Sequence, residues 1–169
     1  MIKQAMILAA GRGNRMMPLT RDIPKSMLKI GNMTLIEDKI VRLAEAGIEK
    51  IIINIGYLGS YIKEHVGDGS KYGVDISISD EGSMPIGTAN GIRKVLDTFN
   101  DDPFILVNAD IWTNYLFIDL KAELVEKLIV LFASSTWASA TPVLSLFLVI
   151  EGHVPAKIVN GQTKLYSNI

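Results

Sequence analysis

The sequence predicts an α/β fold: a doubly wound, mostly parallel sheet, incomplete at its C-terminus. Three observations carry that expectation. Strand-like and helix-like segments alternate up to about residue 118, the order that parallel pairing requires. The first strand-like run ends in Gly11-Arg12-Gly13. A later run, Phe104 to Val107, passes into Asn108-Ala109-Asp110. In doubly wound sheets, ligands lie beyond the carboxyl ends of the strands, where strand order reverses. Both segments therefore belong on the edge where a ligand would bind.

Each element has its own signal. Ala5 to Ala9 is a short apolar run ended by glycine, read as a buried strand. Thr34 to Ala46 carries Leu35, Ile36, Ile40, Leu43 and Ala44 at helical spacing. Thr34 and Glu37 form a capping-box pattern at its start, and Gly47 stops it. Ile51 to Ile55 is a β-branched strand, and Leu58 to Val66 fits a helix ended by Gly67. Val74 to Ile78 alternates as a strand. Thr88 to Phe99 fits a further helix, with Thr88 placed to cap it.

The last third differs. No charged residue occurs from Leu128 to Ile150, a run long enough to span a bilayer. Pro142 and the polar cluster Ser134-Ser135-Thr136 interrupt it, which lipid would disfavour. The run is read as two buried strands, Leu128 to Phe132 and Val143 to Ile150, and no membrane partner is expected.

Bulk composition narrows the class. A length of 169 residues suits one domain, taken as 1–169 with a core over 1–118 and a divergent part over 119–169. With 49% hydrophobic and 21% charged residues, a folded globule is expected rather than disorder. The net charge of -1 gives no basic footprint for nucleic acid. There is no cysteine, so disulfides and thiolate metal sites are excluded. The N-terminus shows no export signal, and cytoplasm is the expected location.

Gly11-Arg12-Gly13 follows a strand, and glycines let backbone N–H groups wrap a phosphate because no Cβ intervenes. Arg15 offers a two-pronged donor and Lys25 a point charge. A P-loop would need Gly-Lys-Ser/Thr, which is absent, and a dinucleotide fingerprint would need glycine where Met16 stands. Two glycines alone favour an ordinary strand-to-helix turn with surface cations, because short glycine patterns are unspecific. Asp110 alone fits a strand-end turn acid.

The longer pattern is more specific. Leu8-Ala9-Ala10-Gly11-Arg12-Gly13-Asn14-Arg15-Met16, then Pro18-Leu19-Thr20 and Pro24-Lys25, resembles the signature of the sugar-1-phosphate nucleotidyltransferases, the NDP-sugar pyrophosphorylases. Further matches follow in order: Leu35-Ile36-Glu37, Ala46-Gly47-Ile48, Gly67-Asp68-Gly69-Ser70, Gly87-Thr88-Ala89 and Val107 to Trp112. Within the family, the Gly-Asp-Gly-Ser segment and the Asn108-to-Trp112 ending are most similar to the N-acetylmuramate 1-phosphate uridylyltransferases. Mannose-1-phosphate guanylyltransferase-like proteins stand close behind.

The resemblance implies a Rossmann-like fold and transfer of a nucleotidyl group from UTP or GTP to a sugar 1-phosphate, with release of pyrophosphate. An NDP-sugar of the cell-wall precursor kind is the implied product. The alternative is a module that binds nucleotide or sugar phosphate with little turnover. By the resemblance, the Ala10-Gly11 backbone meets base and ribose, and Gly11, Arg12 and Gly13 through Arg15 hold the triphosphate. Gly87 and Thr88 border base and sugar. Arg15 would stabilise the departing pyrophosphate, and Lys25 the phosphate under substitution. Asp110 would bind Mg²⁺, and Asn108 would face the sugar phosphate. Glu81 matches a family acid or is a turn residue.

The sequence departs from the family pattern at Met17, at Ser26-Met27 and at Asn90. Beyond about residue 118 the likeness fades, and the family's second metal-binding Asp is not matched. A truncated or frame-altered relative is the expectation, with uncovered apolar surface that invites self-association. Tyr57, Tyr61 and Trp112 are assigned to packing. His65 and His153 are read as unpartnered, without catalytic or metal roles.

Overall fold

The computed structural model describes residues 2–82, 86–99, 104–112 and 117, together with the backbone of four strands between 129 and 165. The early strands are β1 (Gln4–Leu8), β2 (Lys29–Ile30), β3 (Met33–Thr34), β4 (Lys50–Ile55), β5 (Asp75–Asp80) and β6 (Phe104–Asn108). The later strands are β7 (Ile129–Ser134), β8 (Val143–Leu148), β9 (Ala156–Val159) and β10 (Gln162–Leu165). The helices are α1 (Leu35–Glu45), α2 (Gly59–Val66) and α3 (Thr88–Arg93).

One sheet has the order β10-β9-β8-β7-β6-β1-β4-β5, and β2 pairs with β3 in a separate hairpin that the sequence reading did not foresee. The stretch β5-β4-β1-β6-β7 is parallel throughout. The chain steps from β1 out to β4 and β5, then returns to β6 on the other side of β1. Strand order therefore reverses between β1 and β6, as in a doubly wound sheet. The strands β7 to β10 continue the sheet in antiparallel fashion.

Period-two alternation divides the core between two faces. Ala5, Ile7, Ile51, Ile53 and Ile55 pack with Ile36, Ile40 and Leu43 of α1 and Ile62 of α2. Met6, Ile52 and Leu106 pack with Val95 and Phe99 on the other face. Covered on both faces, the central strands read as continuous apolar runs rather than alternating ones. Each fully buried Ile or Phe contributes roughly 1.5–3 kcal/mol.

The capping box is present as read: Thr34 Oγ1 accepts from the Glu37 N–H at 3.3 Å, and Glu37 Oε2 accepts from the Thr34 N–H at 2.9 Å. The helix expected over Thr88 to Phe99 is interrupted. After Arg93, the Val95 N–H bonds to Ile92 O and the Thr98 N–H to Val95 O, both at 3.0 Å, so the chain tightens into a 3₁₀ turn, Leu96–Phe99. Thr88 does not cap. The capping position belongs to Gly87, whose φ of 83° suits glycine, and no side chain caps the helix.

Both strands expected in the uncharged run are found, as β7 and β8. Leu128, Ser135, Thr136, Pro142 and the predicted strand end at 149–150 lie outside the described residues. Among the described residues, no helix is long and apolar enough to cross a membrane.

Candidate active site

A cleft of about 220 Å³ opens at the carboxyl edge of the sheet, where β1 and its parallel neighbour β6 end. Its first wall is the exit of β1. Leu8 O accepts from the Ala109 N–H at 3.0 Å. The Ala9 N–H is shared between the carbonyl oxygen of Asn54 at 3.1 Å and the side-chain Oδ1 of the same residue at 2.8 Å. Ala9, Ala10, Gly11 and Gly13 then line the cleft. Gly13 has φ +67°, and a Cβ there would lie 3.1 Å from Thr20 Cγ2 and 3.2 Å from Lys25 Cβ. Behind the turn, buried Thr20 donates its hydroxyl to Gly13 O at 2.9 Å.

The second wall is polar side chains. Pro24, with φ -61°, leads into a 3₁₀ turn that starts at Lys25. Asp110 follows β6. Lys25 Nζ and Asp110 Oδ2 meet at 2.7 Å, both partly exposed. Asn108 and Ser26 lie beside them in the lining. Ser26 Oγ is buried and finds no hydrogen-bond partner among the described residues.

The third side comes from β5 and α3. Gly87 and Thr88 line the cleft at the start of α3, and Glu81 lines it just after β5. Glu81 Oε1 accepts from Asn54 Nδ2 at 2.6 Å.

The residues read from the sequence thus largely converge. Ala10, Gly11, Gly13, Lys25, Gly87, Thr88, Asn108 and Asp110 all line one cleft. Arg12 and Arg15 are outside that lining. The Arg12 guanidinium lies over the Tyr57 ring, 5.7 Å from its centroid, and Tyr57 in turn donates its hydroxyl to Arg21 O at 2.9 Å. Arg15 sits exposed on the 3₁₀ turn Asn14–Met16, which begins where Gly13 bends the chain. Three minor readings need correction. His65 has a partner, Glu37 Oε1 at 3.1 Å from its Nε2. Trp112 and Tyr61 do not pack inward and are 53% and 49% exposed.

Asn54 was missed. Its signal was one carboxamide inside the β-branched run Ile51 to Ile55, where an apolar residue would be expected. Gly91 was also missed. A Cβ at that position would strike Glu81 Oε1, and nothing in the local pattern announces this contact.

A metal ion would find one wall suited to it. Among the described residues no three His, Cys, Asp or Glu side chains cluster for a metal. Asp110 stands as one carboxylate beside Lys25, with the Asn108 amide nearby. That donor set suits an ion carried in on phosphate oxygens and does not form an all-protein cage, the manner in which Mg²⁺ is ordinarily held.

A glycine-led turn, a lysine and a carboxylate meet at the switch point of a doubly wound sheet, the place where α/β proteins of this class bind ligands. The chain belongs to the nucleotidyl transferase family, whose model matches residues 4–138. It is 45% identical over 114 residues to the N-acetylmuramate alpha-1-phosphate uridylyltransferase of Neisseria meningitidis, covering 68% of this chain and 49% of that protein. It is 34% identical over 122 residues to the mannose-1-phosphate guanyltransferase of Neurospora crassa, covering 70% of this chain and 33% of that protein. The chain therefore spans half or less of the length of these relatives. The fold aligns with a UDP-glucose pyrophosphorylase complexed with UDP-glucose at a TM-score of 0.55 and 26% identity, over 69% of this chain and 49% of that one. A Bacillus anthracis structure aligns at TM-score 0.64 and 23% identity, over 70% of this chain and 48% of that one, which concerns the fold alone.

Proposed function

We propose that the cleft binds a nucleoside triphosphate and a sugar 1-phosphate and transfers the nucleotidyl group between them. The observation that carries this reading is the convergence of the Ala10-to-Gly13 turn, Lys25 and Asp110 on one cleft at the strand-order reversal. An oxygen of the sugar phosphate, already anionic, attacks the α-phosphorus. A new P–O bond forms, the bond from that phosphorus to the β-phosphate's bridging oxygen breaks, and pyrophosphate leaves with the electron pair. No protein nucleophile or base is required, so positioning and electrostatics carry the rate.

In this reading Ala10 and Gly11 offer backbone groups to base and ribose, with Gly87 and Thr88 on the far side. Gly11 to Gly13 meet the triphosphate. Lys25 faces the phosphate under substitution, where charge builds on non-bridging oxygens. Asn108 orients the sugar phosphate. Asp110 would hold Mg²⁺, which when bound screens the repulsion between the two phosphates. Arg12 and Arg15 reach the triphosphate only by leaving their places on the outer surface. Residues 1–118 are the nucleotide-binding core and 119–169 a divergent sugar-side part. A cytoplasmic site of action and a cell-wall precursor product belong to the same reading.

The test is pyrophosphate release from Mg²⁺ with UTP or GTP and a panel of sugar 1-phosphates, beside an Asp110→Ala control. Release by the natural chain that the control lacks supports transfer. Nucleotide binding without release would leave a binding module instead.

A further inference from the structure

We propose that Asn54 and Glu81 are positioning residues for the glycine turn. The inference rests on the nucleotide-binding reading of the cleft and adds a support for its backbone wall. Asn54 sits on β4, 2% exposed, between apolar neighbours Ile53 and Ile55. A carboxamide in such a place is costly unless its polar atoms are bonded. Both are. Oδ1 accepts the Ala9 N–H at 2.8 Å, and Nδ2 donates to Glu81 Oε1 at 2.6 Å.

The polarity of this relay is fixed. An amide N–H only donates and an ionised carboxylate only accepts, so the Asn54 carboxamide has one orientation that serves both. The carboxylate also strengthens the bond to Ala9, because bonds in series polarise one another. Glu81 lies against Gly91, where any Cβ would clash with Oε1. The relay therefore ties together β4, the exit of β5 and the exit of β1, with α3 in contact at Gly91. Ala9 is the last residue before Ala10 and Gly11, whose backbone lines the cleft. A core hydrogen bond that merely satisfied Asn54 would not need a partner on the cleft's far side.

The test is a charge-pattern swap. Asn54→Asp keeps the acceptor for Ala9 but sets a second carboxylate against Glu81. Asn54→Asp with Glu81→Gln restores one donor and one acceptor at that contact. Binding of Mg-UTP and Mg-GTP is measured by calorimetry at about pH 8, where free carboxylates are ionised. Melting temperature and the Ala9 amide resonance are recorded for each chain. Asn54→Asp is expected to weaken nucleotide binding by about tenfold, and the double variant to return within about threefold of Glu81→Gln alone, a typical coupling for groups in contact. The Ala9 resonance should move in the single variant and return in the double.

A double variant that melts normally yet stays as weak as Asn54→Asp would overturn the proposal. So would an Ala9 resonance unmoved by Asn54→Asp. If the single variant does not fold while the double folds and binds, the compensation itself is the support. If neither folds, the pair carries the fold and not the turn, and the proposal fails. Should the natural chain bind neither nucleotide, the functional reading falls separately, and the Ala9 resonance alone decides the relay.

Discussion

On one side of the cleft, Ala9, Ala10, Gly11 and Gly13 present mainly backbone; on another, Lys25, Asn108 and Asp110 present side chains. The backbone side takes its shape from what lies behind it: Thr20 under Gly13, Gly56 against Ala10, and Asn54 under Ala9. The side-chain wall is held by an ion pair that is partly open to solvent. Such a pair is worth only about 0–1 kcal/mol to stability. One wall should thus respond to volume and packing, the other to charge. Damage to the first should appear in folding, and damage to the second in chemistry.

The largest separation is expected at Asp110. Asp110→Asn keeps the shape and removes the charge. Pyrophosphate release should fall by about 100-fold or more, the scale of losing a principal electrostatic group. The melting temperature should stay nearly unchanged. A large loss of stability would break the distinction, because the side-chain wall would then be structural.

Gly91→Ala tests the opposite wall. The added methyl must displace Glu81 Oε1 and lies 3.0 Å from Asn54 Nδ2. Pushing the far end of Glu81 aside is partly offset by the roughly 1 kcal/mol that Ala gains over Gly within a helix, so the net cost should reach up to about 2 kcal/mol, readable as a shift in the urea midpoint. Neutral behaviour would mean that Glu81 has room to move and that the backbone wall is softer than its contacts indicate.

The two walls also differed in how far the sequence revealed them. The glycine turn and Asp110 each follow a strand, so local rules placed them on one edge, whereas Lys25 was assigned to the site through the family resemblance. Alternation of elements announced parallel pairing and a doubly wound sheet, while the order that sets β1 beside β6 came only with the fold. Asn54 and Gly91 act through contacts between β4, β5 and α3, and no local pattern encodes which residue of one element meets which of another. Arg12 and Arg15 show the converse. The sequence placed them beside the glycines, but the left-handed Gly13 and the Tyr57 ring decide where the chain and side chain go. The break after Arg93 was hidden because Val95 and Phe99 keep an apolar spacing that a continuous helix also allows.

Two buried hydroxyls, Thr20 behind the backbone wall and Ser26 within the side-chain wall, give a smaller and sharper contrast. Thr20→Val keeps volume but strips Gly13 O of its 2.9 Å bond and should cost about 1–2 kcal/mol. Ser26→Ala removes a hydroxyl that has no partner among the described residues, so it should be neutral or stabilise by up to about 1 kcal/mol. Urea unfolding of both variants checks the sign. Equal destabilisation would show that Ser26 has a structural bond of its own.

The smallest effect concerns a region that belongs to neither wall, the junction of α1 and α2. Burial pushes the Glu37 carboxyl up, but the Thr34 N–H, the charge on His65 and hydrogen bonds from the Thr34 hydroxyl and His65 outweigh it. Its net position is below the ordinary 4.5. A carboxylate with a lowered folded value binds fewer protons folded than unfolded, so its stability contribution is complete above 4.5 and fades as pH falls through the folded value. Glu37→Gln should therefore flatten the loss of melting temperature between about pH 5 and about pH 3, while leaving the Asp110-dependent activity at neutral pH unchanged. Melting curves across that range decide it. An identical acid slope in both chains would remove Glu37 as the source, and a loss of neutral-pH activity would tie the helix junction to the cleft after all.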